Sequence, residues 1–320
     1  MRRTGKNHAI PSQMVGARKR NIPPNVSGNR KYMKPIPVVI ITLVCLLSCR
    51  NAVQQEKKVV ALNDSTLYDS TIVLPTEEQK VNLIENEYHE DSLRIDFALK
   101  HALNISEKRL KDNSFRKEYE IQLSDSSYSI HVEIQIEDLF DNDKKYLLLR
   151  RQVSWATYID IYKIVDSKLE RVICREQGGM SYIRDTIFDV NGDGYKDFVV
   201  HWYPSSGCCR RNIYNVYLNL PENGMFSSDY EFINPTFSPE EGIIRGVEYG
   251  HPGEVGLYKF MWNGLNVDTI EFIYPDVNLK GQFIKTKRPQ YRPLKDDGIV
   301  LSSVPEEYHK IESYEWFSDF

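Results

Sequence analysis

The sequence predicts a mainly β fold with propeller-like architecture, with a sandwich or a barrel as the alternative. Beyond about Phe115 the chain consists of short alternating or apolar runs, rich in β-branched and aromatic residues and separated by turns. About eleven antiparallel strands follow from this pattern. The second observation is a pair of similar acidic turns, and the third is an amphipathic helix before the strands. The predicted strands are 119–123, 129–136, 146–149, 157–165, 169–174, 182–188, 198–203, 213–218, 243–249, 255–262 and 267–274.

The two acidic turns indicate an internal repeat of about 50 residues. Residues 138–149 place an acidic turn before a hydrophobic strand, residues 189–200 do the same, and a Tyr-rich segment follows each copy. This order suits a four-stranded propeller blade and therefore favours the propeller. In the first copy Lys144 and Lys145 replace the glycines. We expect that copy to keep the turn and to bind no metal.

One helix is predicted before the strands, between Thr76 and Ser106. Its apolar residues recur at positions i, i+3, i+4, i+7 and i+8 and form a single stripe, so we expect the helix to pack against the β domain. Asp91 or Ser92 is the predicted N-cap. The stripe consists of Ile95, Ala98, Leu99, Ala102 and Leu103.

The front of the chain has the composition of an export signal. A cationic start at Met33 precedes an apolar run of ten residues, 38–47, and Ser48 and Cys49 follow it to give the sequence Leu-Leu-Ser-Cys. The run is too short to cross a bilayer as a helix and has the length of a signal-peptide core. It resembles the lipobox of a bacterial lipoprotein, which implies cleavage before Cys49 and lipidation of its sulfur. An ordinary signal peptide or a buried strand is the alternative.

These segments divide the chain into three parts. Residues 1–48 form the signal peptide, and the basic residues 1–32 are interpreted as an extension before the true start. Residues 49–90 form a polar tether, and residues 91–320 form a single β-rich domain with its N-terminal helix. We expect a lipid-anchored protein of the cell envelope, at the outer membrane and facing the periplasm.

The charge of the mature chain excludes one class of partner. Residues 1–48 hold nine Lys and Arg and no acids, which leaves 32 cations against 45 anions and a net charge of about −13. Nucleic acid and anionic lipid are polyanions that such a surface repels. The charge favours cations, basic proteins or uncharged ligands.

Residues 189–197, Asp-Val-Asn-Gly-Asp-Gly-Tyr-Lys-Asp, predict a calcium loop between two strands. Calcium takes six to eight oxygens at about 2.3–2.6 Å, and Gly192 and Gly194 let the backbone curl around it. An EF-hand would need Glu at the twelfth loop position, where this chain has Val200. The alternative is a hairpin turn without metal. The predicted ligands are the side chains of Asp189, Asn191, Asp193 and Asp197 and the main-chain carbonyl of Tyr195.

Three cysteines remain after the signal, Cys174, Cys208 and Cys209. In an oxidising periplasm we expect one disulfide from Cys174 to Cys208 or Cys209, with the third thiol buried.

The sequence contains no recognised catalytic motif: it has no Gly-x-Ser-x-Gly elbow, no His-Glu-x-x-His and no phosphate loop. His251 and Glu254 lie in a turn rich in Gly and Pro, where with His201 they could perform acid–base chemistry near the calcium site. That hypothesis gives the alternative function, an envelope polysaccharide hydrolase. Arg210 and Arg211 suit a carboxylate or a sugar acid. We predict a non-catalytic protein that binds its partner through the loops around residues 189–197, 205–211 and 249–254. Its predicted partner-binding residues are Arg210, Arg211, His251 and Glu254.

The calcium loop between strands resembles the FG-GAP/VCBS repeat of integrin-type propellers. Residues 256–265 also resemble the Tyr-x-Trp-x-Gly strand of single-loop bacterial envelope proteins of that kind. The resemblance covers about residues 130–275 and implies a calcium-loop envelope lipoprotein of the Bacteroidetes type. Some of these relatives are periplasmic lipoproteins that bind and inhibit peptidoglycan-cleaving enzymes when calcium is present. It therefore implies a partner that is an envelope protein or glycan, and membrane contact through the lipid anchor alone.

Overall fold

The computed structural model describes most of the chain after residue 76. The described residues are 77–122, 128–179, 181–205, 209–290 and 293–318. The chain divides into two units, one of residues 84–320 with 1–17 and one of residues 18–83. Of the second unit only residues 77–83 are described, as the start of a helix. Residues 1–76, with the signal, Cys49 and most of the tether, lie outside the described residues.

Helix α1 (Glu77–Glu107) confirms the predicted helix and its apolar stripe. Ile95, Ala98 and Ala102 are buried against the first sheet, with Leu99 and Leu103 half-buried beside them.

The predicted N-cap is wrong, because the helix begins at Glu77 and residues 77–90 of the predicted tether are helical. That segment contains no Gly or Pro and consists largely of good helix formers, so nothing in it stops the helix. Asp91 lies inside the helix, where its carboxylate accepts hydrogen bonds from Arg94 (2.9 Å) and Tyr128 (2.6 Å). In the part of the chain that the structure describes, no helix is long and apolar enough to cross a membrane.

The first sheet contains five antiparallel strands in chain order. The turn between its second and third strands is the first acidic turn. Asp141 there accepts hydrogen bonds from the main-chain N–H of Asp143 (3.1 Å) and from Lys144 Nζ (2.8 Å). As expected, this copy keeps the turn, and a lysine ammonium offsets its charge. The strands are β1 (Phe115–Gln122), β2 (Ser129–Asp141), β3 (Lys144–Gln152), β4 (Ala156–Val165) and β5 (Lys168–Gly178).

The second and third sheets are also antiparallel. The second has the order β6, β7, β8, β11, with a short hairpin of β9 and β10, and the third runs in chain order from β12 to β17. The second sheet and its hairpin comprise β6 (Tyr182–Phe188), β7 (Asp197–Trp202), β8 (Ile213–Tyr217), β9 (Asn219–Leu220), β10 (Met225–Phe226) and β11 (Tyr230–Ile233). The third comprises β12 (Pro235–Ser238), β13 (Ile243–Val247), β14 (Leu257–Asn263), β15 (Asn266–Pro275), β16 (Phe283–Thr286) and β17 (Ile299–Leu301), and α2 (Tyr314–Ser318) follows.

The three sheets pack face to face in chain order, because their strands carry apolar residues on both faces. In β3, Leu147 and Leu149 contact the layer of α1, whereas Tyr146 and Leu148 contact the second sheet. Residues 304–317 cover the far face of the third sheet. Two aromatic pairs cross the interfaces between the sheets, Phe140 with Phe198 and Phe232 with Trp262. The buried clusters at the two outer faces include Ala98 and Ile134 on one side and Leu257 and Tyr308 on the other.

The mainly β, antiparallel fold class is confirmed, but the number of strands is larger than predicted. All eleven predicted strands are present, and six more bring the described total to 17. The additional strands, β9 to β12, β16 and β17, have only two to four residues each. Runs this short carry too little periodicity to recognise. The described sheets close into neither a barrel nor a complete propeller.

Candidate functional site

The predicted calcium loop joins β6 to β7, as expected for a loop between neighbouring antiparallel strands. Gly192 and Gly194 have φ of 82° and 87°, in the left-handed region that favours glycine. At Gly192 a Cβ would also collide with the carbonyl oxygen of Pro239. The first glycine is therefore required by backbone conformation and by the space left by the third sheet.

The side chains of the loop hold its backbone in a tight curl. Asp189 Oδ1 accepts the N–H groups of Asn191 (3.2 Å) and Gly192 (2.7 Å), and Asp189 Oδ2 accepts that of Gly194 (2.8 Å). Asn191 Oδ1 accepts the N–H of Asp193 (3.1 Å), and Asp193 Oδ1 accepts that of Tyr195 (2.9 Å). These are successive Asx turns. The oxygens at loop positions 1, 3 and 5 are thus fixed by short-range hydrogen bonds.

Asp197, at loop position 9, begins β7 and is fully buried. Its Oδ2 accepts the N–H of Val190 (3.0 Å) and its Oδ1 accepts that of Asn219 (2.9 Å). Burial raises the pKa of this carboxyl to about 7, and the charges of Asp193 and Asp189 add to the effect. A buried carboxylate therefore lies beside two others of the same charge.

The donor set fits a hard divalent cation, because it consists only of carboxylate, amide and carbonyl oxygens. Each Asp197 oxygen accepts one N–H and keeps a further lone pair, so its role as a ligand stays a prediction. Within the described ranges, no three His, Cys, Asp or Glu side chains form a metal-binding group. A calcium loop also uses asparagine and main-chain oxygens, so that absence does not bear on it.

A cavity of about 240 Å³ lies beside the loop. It brings together the calcium loop, the start of the β9 hairpin and the turn between β14 and β15. The cavity could not be predicted from the sequence, because its walls come from three distant segments. The only signal was the Trp-x-Gly pattern in residues 256–265. The lining residues are Asn191, Gly192, Asp193, Leu218, Asn219, Leu220, Trp262, Gly264 and Leu265.

The four predicted partner-binding residues do come together, in a second cluster with the C-terminal helix. Arg210 forms an ion pair with Glu315 of α2 (2.6 Å), and the Arg211 guanidinium lies 4.9 Å from the centre of the Tyr249 ring. His251 Nδ1 lies 3.8 Å from the sulfur of Cys209. The main-chain N–H of Glu254 donates to the carbonyl of His251 (3.1 Å), and both side chains are exposed.

The expected convergence of His251 and Glu254 with the calcium loop is wrong. Asp197 and Trp202 lie at opposite ends of β7, about 17 Å apart at the rise of a strand. Trp202 pairs with Ile213, which places residues 209–211 at the end away from the calcium loop. Asn234 Nδ2 joins this end to the third sheet by donating to the carbonyls of Arg210 (3.2 Å) and Val247 (3.1 Å).

His201 lies near the end of β7 that is farther from the calcium loop. Its ring stacks on Tyr214 with a centroid distance of 4.2 Å. Its Nε2 lies 3.1 Å from Asn212 Oδ1, and burial lowers the pKa of the imidazole.

The predicted disulfide from Cys174 is not formed, because Cys174 is a free thiol in the structure. Cys174 lies in β5 opposite Asp160 and is exposed, whereas Cys209 is buried in the loop before β8 of another sheet. Cys208 lies outside the described residues.

Comparison with protein-family models, curated proteins and solved structures finds no match to the chain.

Proposed function

We propose that the protein is a calcium-stabilised, non-catalytic lipoprotein of the cell envelope that binds a protein or glycan partner. Inhibition of a peptidoglycan-cleaving enzyme is the form of binding that the FG-GAP/VCBS resemblance implies. The observation that carries the proposal is the buried carboxylate of Asp197 beside Asp189 and Asp193, in a loop shaped by two left-handed glycines.

The physical argument concerns the charge of this loop. Without a cation, three carboxylates repel one another, and burial disfavours the ionised form of Asp197. Calcium would be held by Asp189, Asn191, Asp193 and Asp197 and the carbonyl of Tyr195, and would offset their charge. Because the unfolded chain cannot hold these groups together, calcium binding would stabilise the fold.

The propeller-like architecture belongs to the same proposal. The five-, four- and six-stranded sheets follow one another in the chain and pack face to face, which is how propeller blades are arranged. Their outermost faces contact α1 and residues 304–317, so we infer an open array of three blades.

The anchor and the location rest on the sequence. The lipobox at Cys49 supports an outer-membrane lipoprotein that faces the periplasm. The acidic mature chain supports a protein or glycan partner and argues against nucleic acid.

Partner capture from an envelope extract tests the binding function. The immobilised mature chain should retain a partner in calcium, and should lose it in calcium-free buffer or as Asp193→Ala. The matched control is Asp141→Ala in the first acidic turn, where Lys144 already offsets the charge, and it should retain the partner. Capture that is equal in all four cases would contradict a calcium-dependent surface.

The alternative, an envelope polysaccharide hydrolase, is tested with purified peptidoglycan. A non-catalytic protein should release no soluble fragments. If the wild type releases soluble fragments and the Glu254→Gln variant does not, the protein is a hydrolase and the proposed binding function is wrong.

A further inference from the structure

The cavity beside the calcium loop contains an unusual tryptophan. Trp262 is 9% exposed and packs against Tyr230 and Phe232, with ring centroids 5.2 and 5.7 Å away. Its indole Nε1 is buried and has no hydrogen-bond partner among the described residues. By contrast, Trp202 donates to Asn215 Oδ1 (2.6 Å) and Trp316 donates to the carbonyl of Gly250 (2.9 Å). Buried indole N–H groups normally find an acceptor. Because this N–H is shielded from solvent, Trp262 contributes to the cavity through its apolar ring.

The size and lining of the cavity restrict what it can bind. Its volume of about 240 Å³ lies below the roughly 300–1,000 Å³ of typical small-molecule sites. Leu218, Leu220, Leu265 and Trp262 supply an apolar lining, and Leu265 is 52% exposed. A space of this kind suits a single apolar side chain, as in the central pockets of protein interfaces. A glycan would need more polar groups than the cavity offers.

We propose that this cavity is the anchor pocket for one apolar side chain of a basic protein partner, which packs against the ring of Trp262 and the three leucines. The inference rests on the proposed binding function and adds the place and chemistry of contact. The net charge of about −13 on the mature chain is complementary to a basic partner.

The proposed calcium loop and the anchor pocket have residues in common. Asn191, Gly192 and Asp193 belong to the loop and also line the cavity. Asn219 also lines the cavity, and its N–H donates to Asp197 Oδ1 (2.9 Å). A cation that fixes the loop therefore fixes the pocket, and the partner's side chain should bind more tightly in calcium.

The test uses the mature chain with ¹⁵N-labelled tryptophan, because Trp262 gives its own indole N–H resonance. The probes are acetyl-Lys-Leu-Lys-amide, the matched acetyl-Lys-Ser-Lys-amide, and the disaccharide of N-acetylglucosamine. In calcium the leucine peptide should shift the Trp262 resonance saturably, and its affinity should exceed that of the serine peptide by about tenfold. Trp262→Phe assigns the resonance.

Two exposed leucines provide matched variants. Leu265→Ser at the pocket should weaken binding of the leucine peptide about tenfold, whereas Leu294→Ser, with the same 52% exposure outside the pocket, should leave it unchanged.

If calcium stabilises the protein but no peptide shifts the Trp262 resonance, the anchor pocket is wrong and the proposed calcium binding still holds. A shift with the disaccharide alone would overturn the choice of a protein side chain. If calcium neither stabilises the chain nor affects the resonance, the proposed function fails as well.

Discussion

Calcium should stabilise the folded chain strongly at neutral pH and only weakly at pH 5, because Asp197 binds a proton in the metal-free fold. Burial raises the pKa of Asp197 to about 7, above the roughly 3.9 of an unfolded aspartate. Between these values the folded chain binds more protons than the unfolded chain. The metal-free protein therefore loses stability as pH rises from about 4 to 7, on the order of 4 kcal/mol from this group.

The magnitude of the calcium effect follows from linkage. At pH 7.5 and calcium at a hundredfold excess over Kd, the stabilisation is about 2.7 kcal/mol. For a domain of this size that raises Tm by about 5–10 °C. At pH 5 calcium must displace the proton of Asp197, so its apparent affinity falls about a hundredfold. The same calcium concentration then stabilises by about 0.4 kcal/mol, and Tm rises by about 1 °C.

The assay is a set of thermal melts followed by circular dichroism at pH 5 and pH 7.5. Metal is removed beforehand on a chelating resin, because soluble chelators change affinity with pH. Magnesium at equal concentration is the control for ionic strength, since it demands a tighter octahedral site. Asp193→Ala should abolish the calcium increment at both pH values, and Asp141→Ala should preserve it.

One result would contradict calcium binding by the loop, and another would contradict the role of the Asp197 proton. If calcium does not raise Tm at pH 7.5, the loop is a turn that binds no metal. If calcium raises Tm equally at pH 5 and pH 7.5, calcium binds without displacing a proton from Asp197.

Three further predictions concern other parts of the chain. Labelled fatty acid should enter the wild type and not Cys49→Ala, and two unlabelled proteins would exclude the lipid anchor. Arg151 donates to the buried Asp160 (2.6 Å), so Arg151→Met should lower the free energy of unfolding in urea by about 3–5 kcal/mol, and a loss below 1 kcal/mol would contradict a buried ion pair. In alkylation followed by mass spectrometry, the exposed Cys174 should react in the native state, and the buried Cys209 should react only after unfolding. Detection of a disulfide-linked peptide that contains Cys174 would contradict this prediction.

Local sequence patterns predicted most of the regular structure. The helix stripe at Ala98 and Ala102 and the strand 182–188 follow from hydrophobic periodicity, and both appear as predicted. The same reasoning failed at the N-cap, because Asp91 looks like a helix start although good helix formers precede it. It also failed for the shortest strands, such as β9, which exist because neighbouring segments pair with them.

The loop of residues 189–197 is formed by local interactions, so its oxygen-bearing side chains, its glycines and its tight curl could be predicted from nine consecutive residues. Calcium binding by this loop stays a prediction. What surrounds it was decided by the tertiary structure. The sequence contains no sign that Asn219 donates to Asp197, that Pro239 closes against Gly192, or that Trp262 lines a cavity beside the loop. These contacts join distant segments through packing between sheets, and a sequence pattern carries only short-range geometry. The direction of β7 likewise placed Arg210 and its neighbours at the opposite end from the loop, because an extended strand separates the residues at its two ends.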